Sequence, residues 1–293
     1  MSSPAVRHEL PVLSLGFADV DAPPRLDFAP VSAFFASVGT GVAVEPVWLG
    51  QVRLPKRIAF YAQNGGMGRP PQNSQAVAEE AVHAVGTEAR ALLSERLLLV
   101  APPPFWPHTW RLLRGGVHLG ERKFCVRYSI VPSGATVGAV SHELGHLLFD
   151  WPDWDRDTGV KEECLMGTGG YRHDGADPVA PCAPLLMSAG LARAFELDAR
   201  TPLGDLAPGV VATFVYRGRS LLFEWRHDIE RLVAYQLGPS PLESRLALRI
   251  RTTEKDAVRP VLALAADSLF RIAQHDLERD ISDCVSLPRR GTS

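Results

Sequence analysis

The sequence predicts an α/β (α+β) fold, with a mixed sheet and packed helices followed by a smaller β-rich region. Two observations lead to this prediction. Up to about residue 200, apolar runs of strand length alternate with segments of helical spacing. Beyond Arg200, four apolar segments recur about ten to fifteen residues apart with turn residues between them, as in an antiparallel sheet. We therefore expect two domains, residues 1–200 and residues 201–293.

The first predicted elements lie in the N-terminal sixty residues. The apolar run over 11–18 is broken by D-V-D-A-P-P, which predicts a buried strand. Over 26–38 the apolar residues have helical spacing and Pro30 stands near the start, which predicts a helix. Two further strands are predicted over 41–49 and 51–62.

The next elements lead to the middle of the chain. A helix is predicted from Gln75 to about Glu95, with Ser74 as its N-cap. The short apolar run 96–101 predicts a buried strand, and the partly alternating run 122–131 predicts another.

The C-terminal third has its own pattern. A helix is expected to begin near Pro184, which suits a first helical turn. The four β segments beyond Arg200 are residues 210–216, 220–226, 231–237 and 245–251. A last helix is expected at about 264–279.

Composition and charge argue against several classes of protein. The 293 residues are 46% hydrophobic and 22% charged, as in an ordinary globular protein. A formal net charge of −2 offers no basic surface, so nucleic acid is not an expected partner. No apolar run approaches the ~20 residues of a membrane span, so we expect no membrane association.

The termini and cysteines bear on the compartment. The N-terminus lacks a basic start followed by an apolar core, so no signal peptide is predicted. The four cysteines show no C-x-x-C spacing. We therefore expect a cytoplasmic protein with reduced thiols, with export by another route left open.

The residues that carry chemistry lie in one stretch, 141–153, which reads S-H-E-L-G-H-L-L-F-D-W-P-D. On a helix, His142 and His146 project from one face, so both imidazoles can bind a single ion. Imidazole suits Zn²⁺, and three protein ligands plus a water make a catalytic site. Glu143 follows the first histidine, where its carboxylate can take the proton of a zinc-bound water. This arrangement is typical of enzymes that hydrolyse a peptide bond.

The alternative is a buried helix that carries two histidines by chance. Three features favour the metal site. The apolar run 136–140 would anchor the helix in a core, and Pro152 stops the helix soon after the second histidine. A cluster of carboxylates follows at once: Asp150, Asp153 and Asp155.

The metal helix and the glycine-rich turn C-L-M-G-T-G-G at 164–170 together resemble the metzincin group of zinc metallopeptidases, and most of all the immune inhibitor A family. The matching residues are His142, Glu143, Gly145, His146, Pro152, Asp153, Leu165, Met166 and Gly169. Similar upstream segments extend the resemblance over roughly residues 10–200. The resemblance implies a metzincin-like catalytic domain with an active-site helix. It also implies that Met166 forms a hydrophobic floor beneath the metal.

The chain departs from the family pattern at the third ligand. Metzincins place a glycine three residues after the second histidine, and here that residue is Phe149. The family spacing puts the third ligand at Pro152, which cannot bind zinc. Because proline disfavours helix at Trp151, the chain should leave the helix there, and Asp153 becomes the preferred third ligand.

Two other carboxylates stay open as third ligands. Asp150 is the first alternative, because an unbroken helix would bring it to the face of His146, four residues earlier. Asp155 is the last choice. If Asp153 binds the metal, Asp150 can instead accept a proton from a ligand imidazole. Tyr171, just after the turn, is a candidate for polarising the substrate carbonyl, as in some metzincins; otherwise it is an aromatic residue at the rim.

The predicted function is a zinc-dependent endopeptidase in which Glu143 is the general base. Its partners would be a peptide or protein substrate. Because a broad protease would damage the cytoplasm, we expect narrow specificity, or activation by a partner or by cleavage. Two alternatives stay open: a scaffold of this type that binds a peptide or protein without cleaving it, and a zinc enzyme that acts on a small molecule in a biosynthetic pathway.

Overall fold

A computed structural model describes residues 6–38, 41–69, 72–85, 96–111, 117–119, 122–124, 127–154, 161–196, 209–216, 219–226, 228–229, 231–239, 241 and 245–251. The chain divides into two compact units. The first unit comprises Met1–Trp154 and Lys161–Ala180, and the second comprises Asp155–Val160 and Pro181–Ser293. The domain boundary expected at residue 200 stays a prediction.

The first unit contains a five-stranded mixed sheet. Its strands are β1 (Val6–Gly16), β2 (Val42–Arg53), β3 (Arg96–Ala101), β4 (His108–Arg111) and β7 (Arg127–Pro132), in the order β2-β1-β3-β7-β4. All neighbours are parallel except β4, which runs antiparallel to β7 at the edge of the described sheet. A separate hairpin is formed by β5 (Val117–Leu119) and β6 (Arg122–Phe124).

The centre of this sheet is buried on both faces. Within β1 every residue from Leu10 to Gly16 is buried, as is β3 from Leu97 to Ala101. Such continuous apolar strands are typical of parallel sheets covered by helices. The helices of this unit are α1 (Ala29–Ser37), α2 (Ile58–Tyr61), α3 (Ser74–Ala84) and α4 (Val137–Phe149).

The strands predicted over 11–18 and 96–101 and the helix within 26–38 are confirmed. The two separate strands predicted over 41–49 and 51–62 are wrong. One strand, β2, runs past Gly50 because a bulge opposite Val12 and Leu13 absorbs the extra residue and preserves pairing with β1. The helical turn α2 then occupies the rest of the second segment.

The predicted helix after residue 74 is confirmed over Ser74–Ala84, and residues 86–95 lie outside the described part of the chain. Its N-cap is Asn73 rather than Ser74. The Asn73 side chain accepts a hydrogen bond from the Ala76 amide at 3.2 Å, whereas the Ser74 hydroxyl pairs with the Tyr128 hydroxyl at 3.1 Å. In the predicted strand 122–131, residues 125–126 also lie outside the described part.

The second unit contains a helix, α5 (Ala183–Ser188), and a second five-stranded sheet. Its strands are β8 (Arg193–Glu196), β9 (Val210–Tyr216), β10 (Arg219–Arg226), β11 (Arg231–Gln236) and β12 (Arg245–Arg251), in the order β12-β11-β10-β9-β8. The four strands predicted beyond Arg200 are confirmed and pair antiparallel. The strand β8, which lies before residue 200, adds a parallel neighbour to β9, so the sheet as a whole is mixed.

The observed class is therefore α/β with two mixed sheets. The helix expected at 264–279 lies outside the described residues. Among the helices that are described, none has the length and apolar character needed to cross a membrane.

Candidate metal centre

The helix α4 carries the histidines and is anchored at its start and along its buried face. The Thr136 side chain accepts from the Ala139 amide at 3.4 Å and caps the first turn. A Cβ at Gly138 would collide with the carbonyl oxygen of Gly170, and a Cβ at Gly145 with the sulfur of Met166. Both positions therefore have to be glycine for the helix to lie this close to the turn that follows it.

The side chains of His142, His146 and Asp153 converge on one point. Nε2 of His142 lies 3.1 Å from Oδ1 of Asp153, and Nε2 of His146 lies 3.3 Å from the same oxygen. One ligand atom from each residue lies within 4.8 Å of the others. Of the three predicted third ligands, the structure brings Asp153 to the histidines, and Asp155 lies outside the described residues.

Backbone carbonyls determine which imidazole nitrogen faces this cluster. Nδ1 of His142 lies 2.9 Å from the carbonyl oxygen of Leu165, and Nδ1 of His146 lies 2.5 Å from that of Trp151. A carbonyl only accepts, so each Nδ1 must carry the proton and donate it. In the neutral imidazoles, Nε2 then presents a lone pair to the cluster.

When both imidazoles are neutral, three acceptor atoms thus converge, and a cation between them would relieve their repulsion. Ligands of a tetrahedral ion with bonds of ~2.0–2.1 Å are ~3.3 Å apart. The observed separations of 3.1 and 3.3 Å between Asp153 and the two Nε2 atoms match this spacing. The donor set of two imidazoles and a carboxylate could therefore hold a metal ion.

Electrostatics in the metal-free protein reflect the same convergence. Hydrogen bonds from His142 and His146 hold the pKa of Asp153 far below its usual range, against the effect of burial. Burial lowers the pKa of His146, but the hydrogen bond to Asp153 and the charge of Glu143 outweigh it, so that pKa is raised.

Two buried tryptophans hold Asp153 in place. Trp151 and Trp154 are among the largest fully buried side chains, while the Asp153 side chain between them is 71% exposed. The Trp154 amide donates to the carbonyl oxygen of Met166 at 2.8 Å. The glycine-rich turn of residues 164–170, the methionine turn, therefore supports His142 through Leu165 and the segment that carries Asp153 through Met166. Met166 is itself buried against α4.

Asp150 has a different position from the one expected. It follows the last residue of α4 in the left-handed conformation, with φ 61° and ψ 21°, which aspartate tolerates better than most residues. Its carboxylate forms an ion pair with Arg127, whose Nη1 also donates to the carbonyl oxygen of His146 at 3.0 Å. The imidazole protons go to the carbonyls of Leu165 and Trp151, so Asp150 does not accept them.

The carboxylate of Glu143 lies beside the histidines and is only 3% exposed. Burial raises its pKa, and a hydrogen bond from Thr109 and the charges of His142 and His146 offset part of this rise. The Thr109 hydroxyl lies 2.6 Å from Oε2 of Glu143. A buried carboxylate beside this cluster, with its pKa raised above the ordinary value, is suited to accept and return a proton.

Tyr171 lies on a short helical segment, Thr168–Gly175, after the methionine turn. Its ring centroid is 5.8 Å from that of His142, and the residue is 47% exposed. Burial and the nearby charges of Glu143 and Asp153 raise the pKa of its phenol, which keeps it protonated as a donor. The backbone beyond it includes His173 and Asp174 at positive φ, strained positions of the kind found at binding sites.

Several residues of the centre had no signature in the sequence. Thr109 and Arg127 lie on β4 and β7, and reach the helix only because those strands pair beneath it. The acceptor carbonyls belong to Leu165 and Trp151, and any residue type could supply them. No family model and no curated protein matches this chain, so its function has to be inferred from this geometry.

Proposed function

We propose that this chain is a zinc-dependent endopeptidase that holds Zn²⁺ with His142, His146 and Asp153. The observation that carries this proposal is the convergence of three acceptor atoms at ligand spacing, beside one buried carboxylate. When bound, the zinc would polarise the substrate carbonyl and lower the pKa of its water to ~7.

Glu143 would be the general base and then the general acid. It would accept the proton of the attacking water and return it to the nitrogen of the leaving amine. Its raised pKa supports both roles, because a carboxyl of ordinary pKa is a poor acid at neutral pH. Tyr171, half-exposed and close to His142, would donate to the carbonyl oxygen of the scissile bond as charge develops on it.

Three further features support a metzincin-like enzyme. A mixed sheet lies next to the metal helix, and Met166 is buried against that helix at Gly145. The third feature concerns Phe149, which stands where the family has a glycine. The helix runs one residue further, through Phe149, and the left-handed residue that ends it is Asp150. Asp153 follows Asp150 by three residues, the same offset as from the family glycine to the third ligand.

The antiparallel edge strand β4 suggests how a substrate would bind. An extended peptide can add to a sheet edge through main-chain hydrogen bonds, while pockets select its side chains. We propose narrow specificity, or activation by a partner or by cleavage, because a broad protease would damage the cytoplasm. A cytoplasmic location remains part of this proposal.

The test is zinc content by elemental analysis, followed by a screen of peptide libraries with the zinc-loaded protein. We expect stoichiometric zinc and cleavage of a restricted set of peptides. Glu143→Gln should keep the zinc and reduce the rate by about 10²–10⁴-fold, the usual contribution of general acid–base catalysis. A wild type that takes up no zinc would refute the proposal. Equal cleavage by wild type and Glu143→Gln would refute the role of Glu143, and zinc binding without cleavage would favour the peptide-binding scaffold.

A further inference from the structure

We propose that Thr109 is a positioning residue that holds the carboxylate of Glu143 in the orientation needed to receive the proton of the attacking water. This inference rests on the proposed zinc peptidase function. It concerns a residue outside the metal helix, on the edge strand β4.

The geometry begins with a cross-strand pair. Thr109 on β4 lies directly opposite Ser129 on β7, and their hydroxyl oxygens are 2.6 Å apart. On the same side, Oγ1 of Thr109 lies 2.6 Å from Oε2 of Glu143 and 3.2 Å from its backbone carbonyl oxygen. The hydroxyl of Thr109 therefore lies between a buried serine and the catalytic carboxylate.

The direction of these hydrogen bonds follows from the donors available. An ionised carboxylate only accepts, so Thr109 must donate its single proton to Glu143. Thr109 can then only accept from Ser129, which is fully buried. Protons thus point from Ser129 to Thr109 to Glu143, and a chain of this kind strengthens its last bond by polarisation.

This bond determines which carboxylate oxygen is available. Oε2 is held by Thr109, so Oε1 is the oxygen left for the attacking water. Within the described residues, Thr109 supplies the side-chain hydrogen bond to this carboxylate. A hydroxyl donating to a buried charged acceptor forms a short, strong bond. It would hold the carboxylate in one orientation before substrate arrives, which is how precise placement contributes to rate.

The variants separate the hydroxyl from the shape of the side chain. Thr109→Val and Thr109→Ala both remove the hydroxyl, and valine keeps the shape and strand preference of threonine. Thr109→Ser restores the hydroxyl. Ser14→Ala is the matched control, because Ser14 is a buried hydroxyl in β1 of the same sheet with no hydrogen-bond partner among the described residues.

Two readouts are measured for each variant with its zinc content. The first is kcat and KM for a peptide that wild type cleaves. Thr109→Val should lower kcat by roughly 10–100-fold, the usual cost of losing an outer partner at a metal site, with KM and zinc content unchanged. Thr109→Ser should recover most of the rate, and Ser14→Ala should match wild type. If the valine variant fails to fold, the alanine variant supplies the same comparison.

The second readout needs no turnover. Acetohydroxamate binds zinc through two oxygens and offers a proton to a neighbouring carboxylate. Its affinity should fall about tenfold in Thr109→Val, as expected for a lost hydrogen bond to a charged group, fall in Glu143→Gln, and stay near wild type in Thr109→Ser.

The outcomes distinguish the two proposals. If wild type binds zinc and acetohydroxamate, and Thr109→Val changes neither kcat nor this affinity, the role of Thr109 is refuted and the zinc peptidase stands. An equal loss in Thr109→Val and Thr109→Ser would also refute it, because shape rather than the hydroxyl would then matter. If wild type takes up no zinc, both proposals fall together.

Discussion

Two clusters of titratable side chains, one in each compact unit, differ in whether they balance their own charge. The metal triad consists of His142, His146 and Asp153 in the first unit. The buried ion network consists of Glu224, Arg226, Asp228 and Tyr235 in the second. Both bring several polar groups within hydrogen-bonding distance, but the ion network has an arginine and a tyrosine hydroxyl as donors, whereas the imidazoles of the metal triad can donate to Asp153 only when Nε2 is protonated.

The ion network is centred on the buried side chains of Glu224 and Arg226, and Asp228 is partly exposed. The Arg226 guanidinium is 3% exposed, and its Nη2 and Nε donate to Asp228 at 2.9 and 3.1 Å. Its Nη1 also lies 3.5 Å from Glu224, which accepts from the Tyr235 hydroxyl at 2.5 Å. Burial raises the pKa of Glu224, and the charge of Arg226 opposes this rise. The donors and acceptors of this network satisfy one another, which is what we expect of a structural part of the sheet.

The metal triad is incomplete and open. Both Nδ1 protons are already given to carbonyls, so two lone pairs and a carboxylate face one another, and the carboxylate is largely exposed. Such a cluster needs a cation from solution. The comparison teaches that a shortage of donors, together with access to solvent, distinguishes a binding site from a structural network of similar composition.

The largest effect on stability should come from opening the ion network. Arg226→Met would leave the buried carboxylate of Glu224 without its cation, and we expect a loss of about 3–5 kcal/mol in the free energy of unfolding, measured by urea denaturation. Zinc content of the folded protein should not change. The double variant Glu224→Gln/Arg226→Met should recover much of the loss, because the uncompensated charge is reduced. A single variant as stable as wild type would show that the network is not the self-balanced structure inferred above.

The next effect concerns zinc. Asp153→Ala should weaken zinc binding by more than the roughly 10–100-fold typical of an outer partner, measured by competition with a chelator. Asp150→Gly is the matched control. Glycine readily adopts the left-handed conformation of Asp150, so this variant should bind zinc within about tenfold of wild type. Greater zinc loss in Asp150→Gly than in Asp153→Ala would assign the third ligand to Asp150.

The smallest expected effect is on pH dependence. Lowering the pH should weaken zinc binding but stabilise the metal-free fold. The pKa of His146 is raised in the metal-free fold, and zinc requires the neutral ring. As pH falls through that raised pKa, apparent zinc affinity should therefore decrease, by about tenfold per unit for one displaced proton.

The raised pKa of His146 has the opposite effect on the folding stability of the metal-free protein. A histidine whose folded pKa exceeds its unfolded value of ~6.5 contributes stability that is fully present below that value and lost as pH rises through the folded pKa. The metal-free protein should thus become more stable as zinc affinity declines, while pH falls through the raised pKa of His146 towards ~6.5. Titration of both quantities in one buffer series checks this. Parallel changes would show that His146 does not titrate as the geometry indicates.

The sequence by itself determined the parts of the centre that depend on local geometry. The spacing of His142 and His146 places both on one helical face, and Glu143 is adjacent by covalent structure. The buried strands over 11–18 and 96–101 could likewise be predicted, because a strand in the middle of a parallel sheet is apolar on both faces. The strand boundaries near Gly50 could not be predicted, because a bulge depends on pairing with another strand.

The third ligand marks the limit of this local information. Three aspartates follow the helix within six residues of one another, and Pro152 favoured Asp153 while Asp150 and Asp155 stayed open as alternatives. In the structure the helix ends at Phe149, Asp150 pairs with Arg127 of β7, and Asp153 reaches the histidines. Buried Trp151 and Trp154 then hold Asp153 at the histidines.

Only the tertiary structure decided the groups that orient the metal ligands and the base. The carbonyls of Leu165 and Trp151 fix the imidazole tautomers, and Thr109 reaches Glu143 because β4 pairs with β7 in one register. These contacts join residues distant in the chain. Because any residue type can supply a backbone carbonyl, no sequence pattern reveals which carbonyl will accept the bond. Local spacing therefore specified which residues can bind a cation, and long-range packing specified how they are oriented to do so.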